Sequence, residues 1–119
     1  MSESKNNQLM ETISPQDALK LIKEHEDDPN FAILDIRSDE EFAAGHIPGA
    51  ESLHYEGHEF QKKVENLDKE KEYVIYCKLG VRGGYILSQM KDSGFRKAHN
   101  IQGGFVGWKV SKLPLTDKV

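Results

Sequence analysis

The chain contains one cysteine, Cys77, and the residues that follow it are the part of the sequence best suited to chemistry. Tyr73-Val74-Ile75-Tyr76-Cys77 reads as a buried strand with the cysteine as its last residue, and Lys78-Leu79-Gly80-Val81-Arg82 as a short loop from which a helix begins. A thiol in that position faces backbone N–H groups at a helix N-terminus and stands beside two cations, Lys78 and Arg82. Both influences favour thiolate over thiol. Gly80 permits the unusual backbone angles that fold a loop around an anion. Arg82 opposes the helix dipole, a mild local cost that points to a use beyond structure. The chemistry on offer is nucleophilic attack by sulfur on a sulfur or phosphorus centre. The plainer reading is a buried cysteine acting as a small apolar side chain.

Spacing narrows the chemistry. Four residues separate Cys77 from Arg82. Cysteine phosphatases place five there, because the loop must surround a tetrahedral phosphoryl group. One residue fewer gives a tighter ring, better matched to a single sulfur atom attached to the thiolate.

The elements that must hold this loop are legible in outline. Residues 1–11 read as a flexible polar lead-in and 12–119 as one domain. Ser14-Pro15-Gln16-Asp17 is a helix start, with serine at the N-cap, proline at N1 and an acid in the first turn. The nearly unbroken apolar run 31–36 marks a strand covered on both faces. Ser38 and Glu41 form a capping box that opens a short helix over 40–44. A turn-rich stretch leads to a brief strand at 50–53. Phe60, Val64 and Leu67 predict an amphipathic helix, Ile86, Leu87 and Met90 another, with Gly94 as its C-terminal cap. A last strand is expected over 96–101, and Gly103-Gly104 turns the chain into a closing helix. Strands alternating with helices define an α/β fold, a mostly parallel sheet with helices on both faces. Ligands in such sheets bind beyond the carboxyl ends of the strands, where Cys77 lies.

The chain has 119 residues and a net charge of −4, which fits one domain and excludes a basic surface for nucleic acid or an anionic membrane. One cysteine cannot cross-link internally, and no apolar run is long enough to span a bilayer. A reducing, cytoplasmic setting is expected.

Three sets of residues together resemble the single-domain rhodanese family of sulfurtransferases. The first is Ile33-Leu34-Asp35-Ile36-Arg37 with Glu41-Phe42 and Gly45-His46-Ile47-Pro48-Gly49-Ala50. The second is Tyr76-Cys77-Lys78-Leu79-Gly80-Val81-Arg82. The third is Gly94-Phe95, Gly103-Gly104 and Trp108. The resemblance implies a rhodanese-like fold and a persulfide relay without a cofactor. Cys77 would be the sulfur carrier, with the N–H groups of Lys78, Leu79, Gly80, Val81 and Arg82 as its cradle. Lys78 and Arg82 would attract a small anionic donor such as thiosulfate or polysulfide. The acceptor would be cyanide or a thiol, including thioredoxin or another protein. Asp35, Arg37 and Glu41 belong to the same pattern, in structural roles. One departure stands out: the family often has serine or threonine directly after the arginine, where this chain has Gly83-Gly84.

Rival readings remain: a phosphatase or arsenate reductase on the same scaffold, a non-catalytic binding module, and a structural cysteine. Other residues invite less. His46 shapes its turn. His54 and His58 are four apart, but Gly57 weakens a helix there and the order is not His-Glu-x-x-His, so no metal is expected. Gly103-Gly104-Phe105-Val106-Gly107 lacks the lysine of a phosphate loop and reads as a helix entry, with Phe105, Val106 and Trp108 in the core.

Overall fold

The computed structural model describes residues 8–55 and 58–118. Five strands, β1 (Leu9–Ile13), β2 (Phe31–Asp35), β3 (Ala50–Ser52), β4 (Glu72–Tyr76) and β5 (Lys97–Ile101), form one sheet in the order β1-β5-β4-β2-β3. Every pairing is parallel. The helices are α1 (Pro15–Glu24), α2 (Asp39–Ala44), α3 (His58–Glu65), α4 (Val81–Asp92) and α5 (Gly104–Val110).

The period-2 alternation of the strands sorts their side chains into two cores. Leu34, Tyr73, Ile75 and Cys77 face α3 and α4 and pack with Phe60, Ile86, Leu87 and Met90. Ile33, Val74, Tyr76 and Ile101 face the opposite way and pack with Ala18 of α1 and Trp108 of α5. Burial on both sides explains why β2 and β4 are continuous apolar runs. It also makes β4 the best-supported strand, because it lies at the centre of the sheet.

The helix starts follow their local chemistry. Ser14 accepts a hydrogen bond from Asp17 N at 3.0 Å, with Pro15 as the first helical residue. Ser38 and Glu41 make the reciprocal capping box. Burial would push the Glu41 carboxyl up, but the hydrogen bonds from Ser38 outweigh it and hold the group below the usual range.

The N-terminal strand corrects the sequence expectation. Residues 1–7 lie outside the described residues, but Leu9–Ile13 is strand where a polar lead-in was expected through residue 11. Five residues with Glu11 and Thr12 among them look like loop in isolation. Their ladder partner is β5, in register Leu9↔Lys97 through Ile13↔Ile101. Glu11 is held from within the sheet: its Oε2 lies 2.9 Å from Nδ1 of buried His99, whose Nε2 lies 2.7 Å from Glu72 Oε2.

Candidate active site

Cys77 follows the last residue of β4, at the carboxyl end of the central strand, and is 6% exposed. Its Sγ accepts hydrogen bonds from the backbone N–H groups of Gly80 at 3.0 Å and Gly83 at 3.3 Å. Gly80 is the N-cap of α4 and Gly83 lies in its first turn. The first N–H groups of a helix have no partner within it. Here the cysteine sulfur satisfies two backbone donors at that end, in the position a serine or aspartate oxygen takes at an ordinary N-cap. An anion on Sγ gains from both bonds and from the helix dipole.

The loop holds this shape because glycines sit where no side chain fits. Gly80 has φ +94°, and a Cβ there would approach Gly103 N to 2.9 Å. Gly104 packs directly beneath the loop, where a Cβ would stand 2.5 Å from Cys77 O and 2.6 Å from Lys78 O. That closeness lets the first N–H groups of α5 grip the loop: Phe105 N donates to Cys77 O at 2.8 Å and Val106 N to Lys78 O at 3.0 Å. The Gly103-Gly104 pair is a helix entry, and it also braces the cysteine loop.

Of the expected cradle donors, Gly80 reaches the sulfur, and Gly83, absent from the sequence-based set, is the second. Its N–H carries no sequence signature, and residue type marks position 83 only as a departure from the family pattern. The side chains of Lys78, Leu79, Val81 and Arg82 face outward, with Leu79 61% and Val81 81% exposed. Together with Cys77, Tyr55 and Tyr85 they line an open depression of about 420 Å³. The Arg82 guanidinium carbon sits 4.4 Å from the centre of the Tyr55 ring, a cation–π contact that holds its charge at the mouth. A smaller hollow of about 170 Å³ shares Tyr55, Cys77, Lys78 and Arg82 with that depression and extends to Arg37, Ser38, Glu41 and His54.

Asp35, Arg37 and Tyr76 form a buried network behind the loop. Asp35 is fully buried and accepts Arg37 Nε at 3.0 and 3.2 Å, Arg37 NH2 at 2.7 Å and the Arg37 backbone N–H at 2.9 Å. Tyr76 Oη donates to Asp35 Oδ2 at 2.7 Å and accepts from Ile47 N at 3.1 Å. Arg37 also donates to Gly45 O at 2.6 Å and lies 3.8 Å over the Phe105 ring. Burial pushes the Tyr76 hydroxyl far above its ordinary range, with Asp35 adding to the effect. Burial lowers the Arg37 guanidinium, but its hydrogen bonds to Asp35 more than offset this, so it stays charged. All three side chains are consumed by contacts within the protein. His46 Nδ1 lies 2.7 Å from Phe42 O, and the ring stacks on Phe42 in the turn it shapes. The His58 side chain lies outside what the structure describes.

Sequence comparison identifies the class. The family model of the rhodanese-like domain matches residues 14–111, and the chain belongs to that family. The chain is 37% identical over 89 residues to "Putative sulfurtransferase YtwF" of Bacillus subtilis, covering 75% of this chain and 84% of that protein. It is 28% identical to the thiosulfate:glutathione sulfurtransferase of Saccharomyces cerevisiae, covering 90% and 84%. It is also 34% identical to the dual specificity phosphatase Cdc25 of Arabidopsis thaliana, covering 73% and 67%. A rhodanese-related protein from Thermoplasma volcanium has the same fold, with a TM-score of 0.76 at 21% identity, covering 91% of this chain and 99% of that one. The relatives named as sulfurtransferases support a rhodanese-family enzyme. Among the described residues no helix is long and apolar enough to cross a membrane.

Proposed function

We propose that the protein is a cytoplasmic sulfurtransferase that carries sulfane sulfur as a persulfide on Cys77. The observation that carries this reading is the pair of N–H groups, from Gly80 and Gly83, aimed at Sγ. They stabilise an anion on Sγ without a general base, and a terminal persulfide sulfur would sit at the mouth beside them. In the first step the Cys77 thiolate attacks the outer sulfur of thiosulfate or a polysulfide. An S–Sγ bond forms, the donor's S–S bond breaks, and sulfite or the shortened polysulfide leaves with the electron pair. In the second step cyanide or a thiolate attacks the terminal sulfur, and the electron pair of the broken bond returns to Sγ. Lys78 and Arg82 draw the anionic donor to the mouth, so the local field acts against the net negative charge of the chain.

A second reading is favoured by the phosphatase-named relative. The four-residue gap to Arg82 argues against it, since a phosphoryl group needs a wider ring. One experiment separates the two: thiocyanate release from thiosulfate and cyanide, run beside hydrolysis of p-nitrophenyl phosphate, for the native protein and Cys77→Ser. Thiocyanate formation lost in Cys77→Ser, without phosphate release, is the expected result. Cys77-dependent phosphate release without thiocyanate would overturn the sulfurtransferase reading. Neither product would favour the binding module or the structural cysteine.

A further inference from the structure

We propose that Asn100 is a positioning residue for the cysteine loop, and that Gly83 and Asn100 are a matched pair. In this pair an amide from β5 does the work that a hydroxyl at position 83 would do from within the loop. The proposal rests on reading Cys77 as the working nucleophile.

Asn100 is 2% exposed. Its Nδ2 donates to Gly80 O at 3.1 Å and to Thr12 Oγ1 at 3.3 Å. Its Oδ1 is the buried side-chain nitrogen or oxygen left without a hydrogen-bond partner among the described residues. Such an orphan is unfavourable and calls for a reason. The orphan oxygen faces Gly83. A Cβ built there would collide with Asn100 Oδ1 and come 3.0 Å from Asn100 Cγ, so the amide fills the space of the missing side chain.

Both residues whose N–H groups reach Sγ therefore bear on one amide. Gly80 is tied at both ends, its N–H on Sγ and its carbonyl on Asn100 Nδ2. Gly83 has its N–H on Sγ and its open face against Asn100. Asn100 thus fixes the residue that presents the shorter of the two bonds to sulfur. A serine at position 83 would reach the same carbonyl differently, because helical serine hydroxyls donate back to the C=O three or four residues earlier, and three residues before 83 is Gly80. The Gly80 carbonyl already accepts from Gly84 N at 3.2 Å as well as from Asn100 Nδ2, so such a serine competes with Asn100 for the acceptor and the volume, and this chain keeps the asparagine. The two solutions exclude each other at full size and are interchangeable in principle.

The test is the ratio of iodoacetamide alkylation rates of Cys77 at pH 6 and pH 9, measured with thermal melting, for native protein, Asn100→Ala, Gly83→Ser and the double variant. Taking the ratio within each protein removes changes in access to the thiol. Each single variant is expected to lower the ratio about tenfold, the effect of one charge-assisted hydrogen bond. The double variant is expected within about threefold of native, because the introduced hydroxyl then holds Gly80 O in the space Asn100 vacates, a non-additive result. A lower melting temperature in Asn100→Ala with an unchanged ratio would overturn the proposal, as would losses that simply multiply in the double variant. If Asn100→Ala does not fold, Gly83→Ser and the double variant decide it: a double variant no better than Gly83→Ser refutes the pairing. A native ratio equal to that of a free cysteine peptide also refutes it, since no thiolate would be held. No sulfur donor enters this assay, so failure of the sulfurtransferase reading registers separately, as absent thiocyanate with the ratio pattern intact.

Discussion

Replacing Tyr76 with phenylalanine removes one oxygen atom from the buried network behind the cysteine loop and leaves the ring packing in place. That oxygen makes two contacts, donating to Asp35 Oδ2 at 2.7 Å and accepting from Ile47 N at 3.1 Å. Ile47 is 1% exposed, so its N–H has no water to turn to, and an orphaned buried donor costs about 1–3 kcal/mol. Asp35 keeps its four hydrogen bonds to Arg37, so its loss is smaller, about 1 kcal/mol. The sum is about 2–4 kcal/mol, a fall in melting temperature on the order of 8–16 °C for a domain of this size. Urea unfolding gives the free energy, and an unchanged m-value would confirm that only the folded state lost a contact. Tyr73→Phe is the internal control. Its hydroxyl also donates one hydrogen bond, to Asp68 O at 2.8 Å, but Asp68 is exposed and water can replace it. That variant should lose about 0.5–1.5 kcal/mol. If Tyr76→Phe costs no more than Tyr73→Phe, the buried network does not hold the site as argued.

Three further outcomes follow from the same geometry. Burial pushes the Tyr73 hydroxyl up to about 12 and Tyr76 higher still, so above pH ~10 the unfolded chain releases protons that the folded protein retains. Stability is then full below that pH and falls as pH rises toward the folded values, by up to about 1.4 kcal/mol per unit for each tyrosine; urea titrations from pH 8 to 11 that stay flat would contradict this. Gly104→Ala drives a Cβ into Cys77 O and Lys78 O at φ +60°, so it should cost at least about 2 kcal/mol and abolish thiocyanate formation. A variant as stable and as active as native would refute the bracing role of α5. Finally, Cys77 should react with iodoacetamide in the folded protein at pH 7, through the open mouth beside Lys78 and Arg82; a thiol alkylated only after unfolding would count against a working nucleophile at this position.

What the sequence made legible was local. The capping box at Ser38 and Glu41, the proline start at Pro15 and the apolar runs of β2 and β4 each carry their own signal within a few residues. The cysteine loop was readable for the same reason, since strand, Gly80 and helix are contiguous. What escaped depends on distant partners. β1 is strand because β5 pairs with it, although its own residues are partly polar. Tyr76 meets Asp35 across a separation of 41 residues, and Asn100 meets Gly80 across 20. Gly83 looked like a missing hydroxyl, and only the placement of β5 shows that another side chain fills the gap. Backbone N–H donors leave no trace in residue type, so the second donor to the sulfur was invisible until the loop was seen.

The most direct test of the central claim is the intact mass of the protein after incubation with thiosulfate alone and removal of excess donor. The account predicts one added sulfur atom on the native chain, discharged by cyanide or a thiol, and no addition to Cys77→Ser. A native chain that stays unmodified with thiosulfate and with polysulfide, while Cys77 is freely alkylated, would contradict it.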